Sequence, residues 1–331
     1  MKFIKPKFEI LEQAPEMDGM LKHIERCGRV CYRSEDKITE DSAEKFVERM
    51  KSLGHGSVIE HGTVYIKNFC DGTFLDGDYN NLGYKYDKNK YSKVASDYAL
   101  SPRGFYITTN YRVILQGDYE AWDEALEHKF DKNWLDDLQY QCEPTEFHEK
   151  RVTVKFTTDI GVSREFNRHR VNSVSEQSTR YCNYSKDKFG NEISVVPPTK
   201  VRSNAEKELK TGIDFFSNEY NYFSAMCGVV TEITRDGDDF TTFTDIDTWL
   251  FANLTTQWAY MRLTNVFGWS AQEARSVLPL DTQTEFYHTA FVSDWKHFFE
   301  LRCDSHAHPM ARELAIPLRE EFVKRKLIKE K

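Results

Sequence analysis

The chain has 331 residues, 40% hydrophobic and 14% aromatic, enough apolar side chain to bury a core and to exclude a disordered chain. Lysine plus arginine number 45 against 53 aspartate plus glutamate, a formal charge of −8, which disfavours a whole-surface binder of nucleic acid or anionic membrane. No apolar run approaches the ~20 residues of a membrane helix, Met1–Pro6 lacks the apolar stretch of a signal peptide, and the seven irregularly spaced cysteines fit reduced cytoplasmic thiols better than a disulfide framework.

Cys27 and Cys31 have no second pair at ligand spacing and are assigned to packing rather than zinc. Residues 41–53 are predicted helical: Asp41 caps, Glu44 completes a capping box, Phe46, Met50 and Leu53 share a face, and Gly54 ends the helix. Residues 58–68 read as a strand, 70–96 as a polar loop or excursion, 105–115 as a strand and 119–141 as helical. Residues 151–158 alternate like a half-buried strand. Residues 205–226 and 245–263 read as long amphipathic helices. Ser270 with Glu273 makes a capping box for a helix ending near Pro279. Residues 285–292 read as a strand, and 294–303 and 310–326 as helices. No internal repeat and no low-complexity tract is evident. The irregular mixture predicts an α+β or irregular α/β class rather than a doubly wound sheet. No dinucleotide fingerprint or phosphate loop is present.

The densest polar cluster runs from Arg164 to Tyr181. It holds four arginines (Arg164, Arg168, Arg170, Arg180) and two acids (Glu165, Glu176), so it carries 4 − 2 = +2 inside an acidic chain. Guanidinium forks match pairs of phosphate oxygens, and Ser173, Ser175 and Ser178 add hydroxyl donors, so the cluster points to a phosphorylated ligand. The alternative is a solvated basic helix end with surface ion pairs.

Within this cluster Arg168-His169-Arg170, followed by Ser173, Glu176, Ser178, Arg180 and Tyr181, resembles the signature of flavin-dependent thymidylate synthases. Gly28–Tyr32, Gly54–His61, Ala274–Pro279 and Leu301–Ala307 resemble other motifs of that family in the same order. The resemblance implies a single catalytic domain over 1–331 with a mixed, largely antiparallel sheet flanked by long helices, and an inserted subdomain over 70–148. It also implies a methyltransferase that makes dTMP from dUMP, with FAD as cofactor and NADPH and methylenetetrahydrofolate as co-substrates. The family's homotetramers hold FAD between subunits. A cytoplasmic location is implied, or the host cytoplasm for a virus-encoded chain. Neither a membrane nor a metal is expected, and nucleic acid is not an expected partner.

By the same resemblance His55, Ser57, Arg168, His169, Arg170, Glu176 and His297 would hold FAD. Glu165, Arg168, Glu176, Gln177, Ser178, Thr179, Arg180, Arg275 and Arg302 would line the dUMP site. Arg302 is the expected catalytic residue, a permanent cation stabilising negative charge at N3 and O4 of the uracil. Cys182 and Cys303 are expected to be packed thiols rather than nucleophiles, since the flavin carries the chemistry. His306 and His308, two apart, do not share a helix face and are not read as metal ligands. His61 is open between a core and a site role.

Three departures from the family pattern stand out. Glu165 occupies the place of a glutamine, where a carboxylate needs an offsetting cation such as Arg164 or Arg302, or an N3–H to accept. Phe291, Val292 and Ser293 occupy the place of an Asn-x-Arg that touches FAD. Residues 70–148 separate two segments that the family joins directly, and within them Asn110-Tyr111-Arg112 resembles the missing triplet. The plainer expectation is a β-strand with an exposed arginine; the alternative is that the insertion folds over the flavin site and that Asn110 and Arg112 replace the lost contacts.

Overall fold

Two antiparallel sheets, with a one-turn helix packed against a strand of one and the exit helix of the other, organise the chain. The computed structural model describes residues 1–70, 82–87, 89–97, 103–116, 134–169, 171–208 and 244–329. The chain opens with β1 (Lys2–Phe3), β2 (Lys7–Leu11), α1 (Glu16–Arg29), α2 (Ser42–Ser52) and the one-turn α3 (Gly56–Ile59). The first sheet's unit follows as β3 (Thr63–Cys70), α4 (Leu82–Asp87), β4 (Lys93–Asp97), β5 (Arg103–Asn110) and α5 (Tyr111–Gln116). The second comprises β6 (Arg151–Asp159), α6 (Ile160–Phe166), β7 (Ser173–Glu176), β8 (Ser194–Val195), α7 (Thr199–Glu208), α8 (Asp245–Asn265), α9 (Ala271–Ala274), β9 (Gln283–Phe291) and α10 (Val292–Arg302). Helix α11 (Pro309–Lys324) closes the described fold. The strands run β2-β6-β9-β7 in one sheet and β3-β5-β4 in the other, and among the described residues only the short β1–β8 pair is parallel. The class is therefore α+β with largely antiparallel sheets, as the sequence predicts.

Alternation along β6 decides how its sheet is covered. Val152, Val154 and Phe156 enter an apolar core with Phe166, Trp295, Phe298, Leu314 and Phe322 from α6, α10 and α11. The opposite face carries Thr153 and Thr157, both buried. Polar groups there need partners, and they have them. Thr153 bonds Thr289 at 2.7 Å and the His23 ring at 2.9 Å. The His61 ring reaches Thr289 at 2.7 Å through Nδ1 and Ser175 at 3.0 Å through Nε2. His61 is thereby a core histidine, fully buried and held neutral by desolvation.

The two sheets repeat one another. In β3, β4 and β5, and again in β6, β7 and β9, the first strand pairs with the last, and the middle one lies on the far side of the last. Pairing Thr63 with Asn110 has its counterpart in Arg151 with Phe291. Lys93 with Thr108 likewise corresponds to Ser173 with Thr289. The backbone N–H of Tyr111, first residue of α5, donates to Gly62 O at 2.8 Å, and that of Val292, first residue of α10, donates to Lys150 O at 3.0 Å. Even the fourth position is echoed, since Gln141 bridges Ile66 where Ile10 of β2 pairs Val154. In this register Phe105-Tyr106-Ile107-Thr108 lies over Phe286-Tyr287-His288-Thr289, and Val64, Lys67 and Val94 lie over Val152, Lys155 and Val174. The repeat escapes a search at fixed period because the segments joining the three strands differ in length.

Other local expectations shift. Asp41 precedes α2 but makes no side-chain cap, so the Asp41–Glu44 capping box is absent. Instead Ser42 Oγ accepts from the Thr39 N–H and donates to buried Glu25. The expected 58–68 strand starts only at Thr63, because Val58 and Ile59 are buried in α3, tertiary packing overriding β-propensity. Within 70–96, read as a loop, lie α4 and the start of β4. The 105–115 strand ends at Asn110, whose side chain accepts from Val113 N–H at 3.1 Å and turns the chain into α5. Of the expected 119–141 helix, residues 117–133 lie outside the described residues and 134–140 form a 3₁₀ helix. The expected 205–226 helix begins at Thr199, and 209–243 lie outside the described residues. The Ser270–Glu273 capping box is present in full.

Candidate active site

Helix α6 begins where the Asp159 carboxylate accepts from the Val162 N–H at 2.8 Å. It sets Glu165 one turn before the Arg168–Arg170 run. From far along the chain, Arg302 at the end of α10 reaches back to it. Arg302 Nη1 donates to Glu165 Oε2 at 2.7 Å, Nη2 to the Glu165 carbonyl, and Nε to His169 Nε2 at 3.4 Å. Of the two arginines expected to offset Glu165, Arg302 does so, while Arg164 is exposed. His169 is half-buried, and desolvation, with Arg302 and His297 beside it, lowers its pKa to about 4. It is neutral at pH 7, so its Nε2 lone pair can accept from the guanidinium. His297 is exposed, its ring 5.8 Å from that of His169.

Residues beneath this cluster were not singled out from the sequence. His288 on β9 is fully buried, its pKa lowered to about 3 by desolvation, and it meets Asn172 Nδ2 at 2.6 Å. Glu176 accepts from Ser163 Oγ at 2.6 Å, Asn167 Nδ2 at 3.0 Å and Thr284 Oγ1 at 3.0 Å. Asn167 and Asn172 fall inside the motif segment, so proximity was the available signal. Thr284 and His288 carried none, because strand pairing alone brings them in, and Ser163 lies on α6 just before the segment.

The remaining motif residues gather one turn further on. Ser178 N–H donates to the Cys31 carbonyl at 3.0 Å, which ties the Gly28–Tyr32 segment to the signature. The Tyr32 and Tyr181 rings lie 5.0 Å apart. Arg180 Nε donates to Gln272 on α9 at 2.8 Å, close in sequence to the exposed Arg275. Arg168 is exposed, Thr179 half-buried and Arg170 outside the described residues. Gln177, expected at the nucleotide, is instead drawn into the core, 4% exposed, its amide donating to the Tyr184 hydroxyl at 3.4 Å. Burial raises the Cys182 thiol to about 11 and raises Cys303 too, which disfavours a thiolate at either.

His55 is half-buried and Ser57 exposed at the two ends of the turn leading into α3. Beside them lies Arg112 of α5. A Cβ placed on Gly56 would come within 2.5 Å of Arg112 Nε, so glycine is required for this approach. Arg112 Nη1 donates to Glu60 Oε1 and Nε to Gln116. Among the described residues no group of three or more His, Cys, Asp or Glu is arranged to hold a metal, and no helix is long and apolar enough to cross a membrane.

Residues 104–325 match the family described as thymidylate synthase complementing protein. The chain belongs to this family. A flavin-dependent thymidylate synthase of Thermosipho melanesiensis is 26% identical over 192 residues, 58% of this chain and 71% of that protein. One from Synechocystis sp. is 43% identical over 51 residues, 15% of this chain and only 24% of that protein's length. Among solved structures, a UMP/dUMP methylase, PolB, from Streptomyces cacaoi has 16% identity and a TM-score of 0.37, covering 98% of this chain and 93% of that one. The family match includes residues 104–148, which the resemblance had set apart as insertion.

Proposed function

We propose that this member of the family is a flavin-dependent thymidylate synthase, converting dUMP to dTMP with FAD, NADPH and methylenetetrahydrofolate. The observation that carries the reading is the convergence of Arg302, Glu165 and His169, three motif residues from two distant stretches of chain, at one half-buried spot. The donor set suits the ligands. Arg168, Arg180 and Arg275 remain near the surface, where guanidinium forks fit phosphates.

When bound, FAD supplies the hydride-transfer chemistry that no side chain can. His55, Ser57, Arg168, His169, Arg170, Glu176 and His297 are the residues assigned to it, and Glu165, Glu176, Ser178, Thr179, Arg180 and Arg275 to the nucleotide. Gln177 would contribute through its backbone only. Arg302 acts on the pyrimidine. Charge developing at N3 and O4 meets a cation already oriented by Glu165 and His169, so little reorganisation is needed. Neutral His169 accepts from Arg302 without adding a competing charge. Glu165 keeps Arg302 in place and offers an acceptor to a pyrimidine N–H. The assembly is proposed as a homotetramer with flavin sites between subunits, in the cytoplasm of a cell or of a virus-infected host.

The purified chain is expected to be yellow, to bleach with NADPH, to recolour in air, and to convert labelled dUMP to the 5-methyl product. A colourless protein that takes up no added FAD would end this reading. A 5-hydroxymethyl product, or turnover of a different pyrimidine nucleotide only, would move it to a related flavin-dependent methylase or hydroxymethylase of another pyrimidine nucleotide.

A further inference from the structure

The repeat of the two sheets assigns equivalent places to residues of quite different character. Asn110 corresponds to Phe291, Tyr111 to Val292 and Arg112 to Ser293, fixed by the shared strand register and the shared hydrogen bond at the helix start. In the second unit the first of these places is filled by a ring, and the third, exposed Ser293, offers no cation. Phe291 is buried, with Arg151 Cζ 5.5 Å and Lys93 Nζ 5.6 Å from its ring centroid, and the Ser293 N–H donates to Glu149 at 2.8 Å. Lys93 belongs to the first unit, so this aromatic clamp is a seam between the units. In the first unit the helix start is intact. Asn110 is buried as the cap, and Arg112 projects from the next turn onto Gly56, between His55 and Ser57.

The turn that carries these residues is itself held from both sides. His61 bonds Thr289 and Ser175 of the second unit, and Arg151 donates to the Glu60 carbonyl at 3.0 Å and to Ser173 Oγ at 3.0 Å. Glu60 meanwhile pairs with Arg112 of the first. A ligand against His55 and Ser57 therefore has Arg112 as a wall, and a ligand with phosphates gains a guanidinium there.

We propose that residues 63–116 are an internal copy of the strand–helix unit in 151–302, and that Arg112 of this copy supplies the phosphate-binding cation of the flavin site, a cation that the second unit lacks at Ser293. Asn110 is a positioning residue in this scheme, acting through the start of α5. The inference rests on the flavin reading above.

The test is FAD affinity of the full chain, measured by quenching of flavin fluorescence, with dUMP affinity measured separately by calorimetry. Arg112→Ala should weaken FAD binding ~10- to 100-fold, the effect of removing one charge-assisted hydrogen bond, with dUMP affinity within about two-fold of wild type. Arg112→Ala also leaves a buried carboxylate at Glu60, which can cost folding. The double variant Arg112→Gln, Glu60→Gln keeps a hydrogen bond at that spot without either charge, and should show the same weakening of FAD binding with an unchanged thermal midpoint. Wild-type FAD affinity in either folded variant overturns the inference while leaving the flavin reading standing. A wild-type chain that binds no FAD overturns both.

Discussion

The two sheets share strand order, register and helix exit, yet only one is lined with the polar groups of the candidate site. Where the second unit has His288, Ser175 and Glu176, the first has Ile107, Ala95 and Ser96. Where the positions agree, as in Phe105 and Phe286, Tyr106 and Tyr287, they serve packing and pairing. The fold is thus specified by shared aromatic and β-branched positions, and the chemistry by a few point differences on top of them.

The largest expected effect lies wholly in the second unit. Arg302→Ala should lower turnover ~10²- to 10³-fold, as removing a preorganised donor for a developing anion does. A single-turnover rate within a few-fold of wild type would break the assignment. Next comes acid. His23 and His288 have folded pKa values of about 4 and about 3, below the ordinary 6.5, because burial disfavours the charged ring. The unfolded chain then binds more protons below pH 6.5, so stability is full above that value and falls as pH drops toward 4. Each of the two costs ~2 kcal/mol at pH 5. Thermal midpoints between pH 8 and 4 check this, and His288→Gln should give a shallower acid limb.

The third prediction sets matched positions against each other. Thr289 bonds both Thr153 and His61, so Thr289→Val should cost ~1–3 kcal/mol by leaving those groups short of a partner. Asn110→Ala removes the cap of α5 and should cost ~1 kcal/mol. The smallest effect belongs to Thr108, the equivalent of Thr289. Its buried hydroxyl has no partner among the described residues, so Thr108→Val should be neutral or slightly stabilising. Denaturant midpoints for the two threonine variants give the contrast directly, and equal losses would mean that the units are polar in the same way.

Much of this site was legible as a linear motif, because Arg164–Tyr181 concentrates its charge in one segment. The α+β class followed from the irregular order of elements. What stayed hidden was set by pairing between distant strands. His288 and Thr284 enter the site through the β9 register, and nothing local marks them. Val58 and Ile59 looked like strand because their propensity is for strand, and the core they fill belongs to α1 and α2. The repeat was hidden in the same way, as its identities are few and unequally spaced. A motif also names residues without saying which way each side chain turns, as Gln177, buried against Tyr184, illustrates.

The contacts around Phe291 restrict what residue 291 can be. An asparagine there would put a polar side chain beside two cations in a buried space shaped for a ring, at a cost of order 3 kcal/mol. The aromatic ring is therefore tied to the meeting of the two units, and a polar residue at 291 would loosen that meeting as well as the local core.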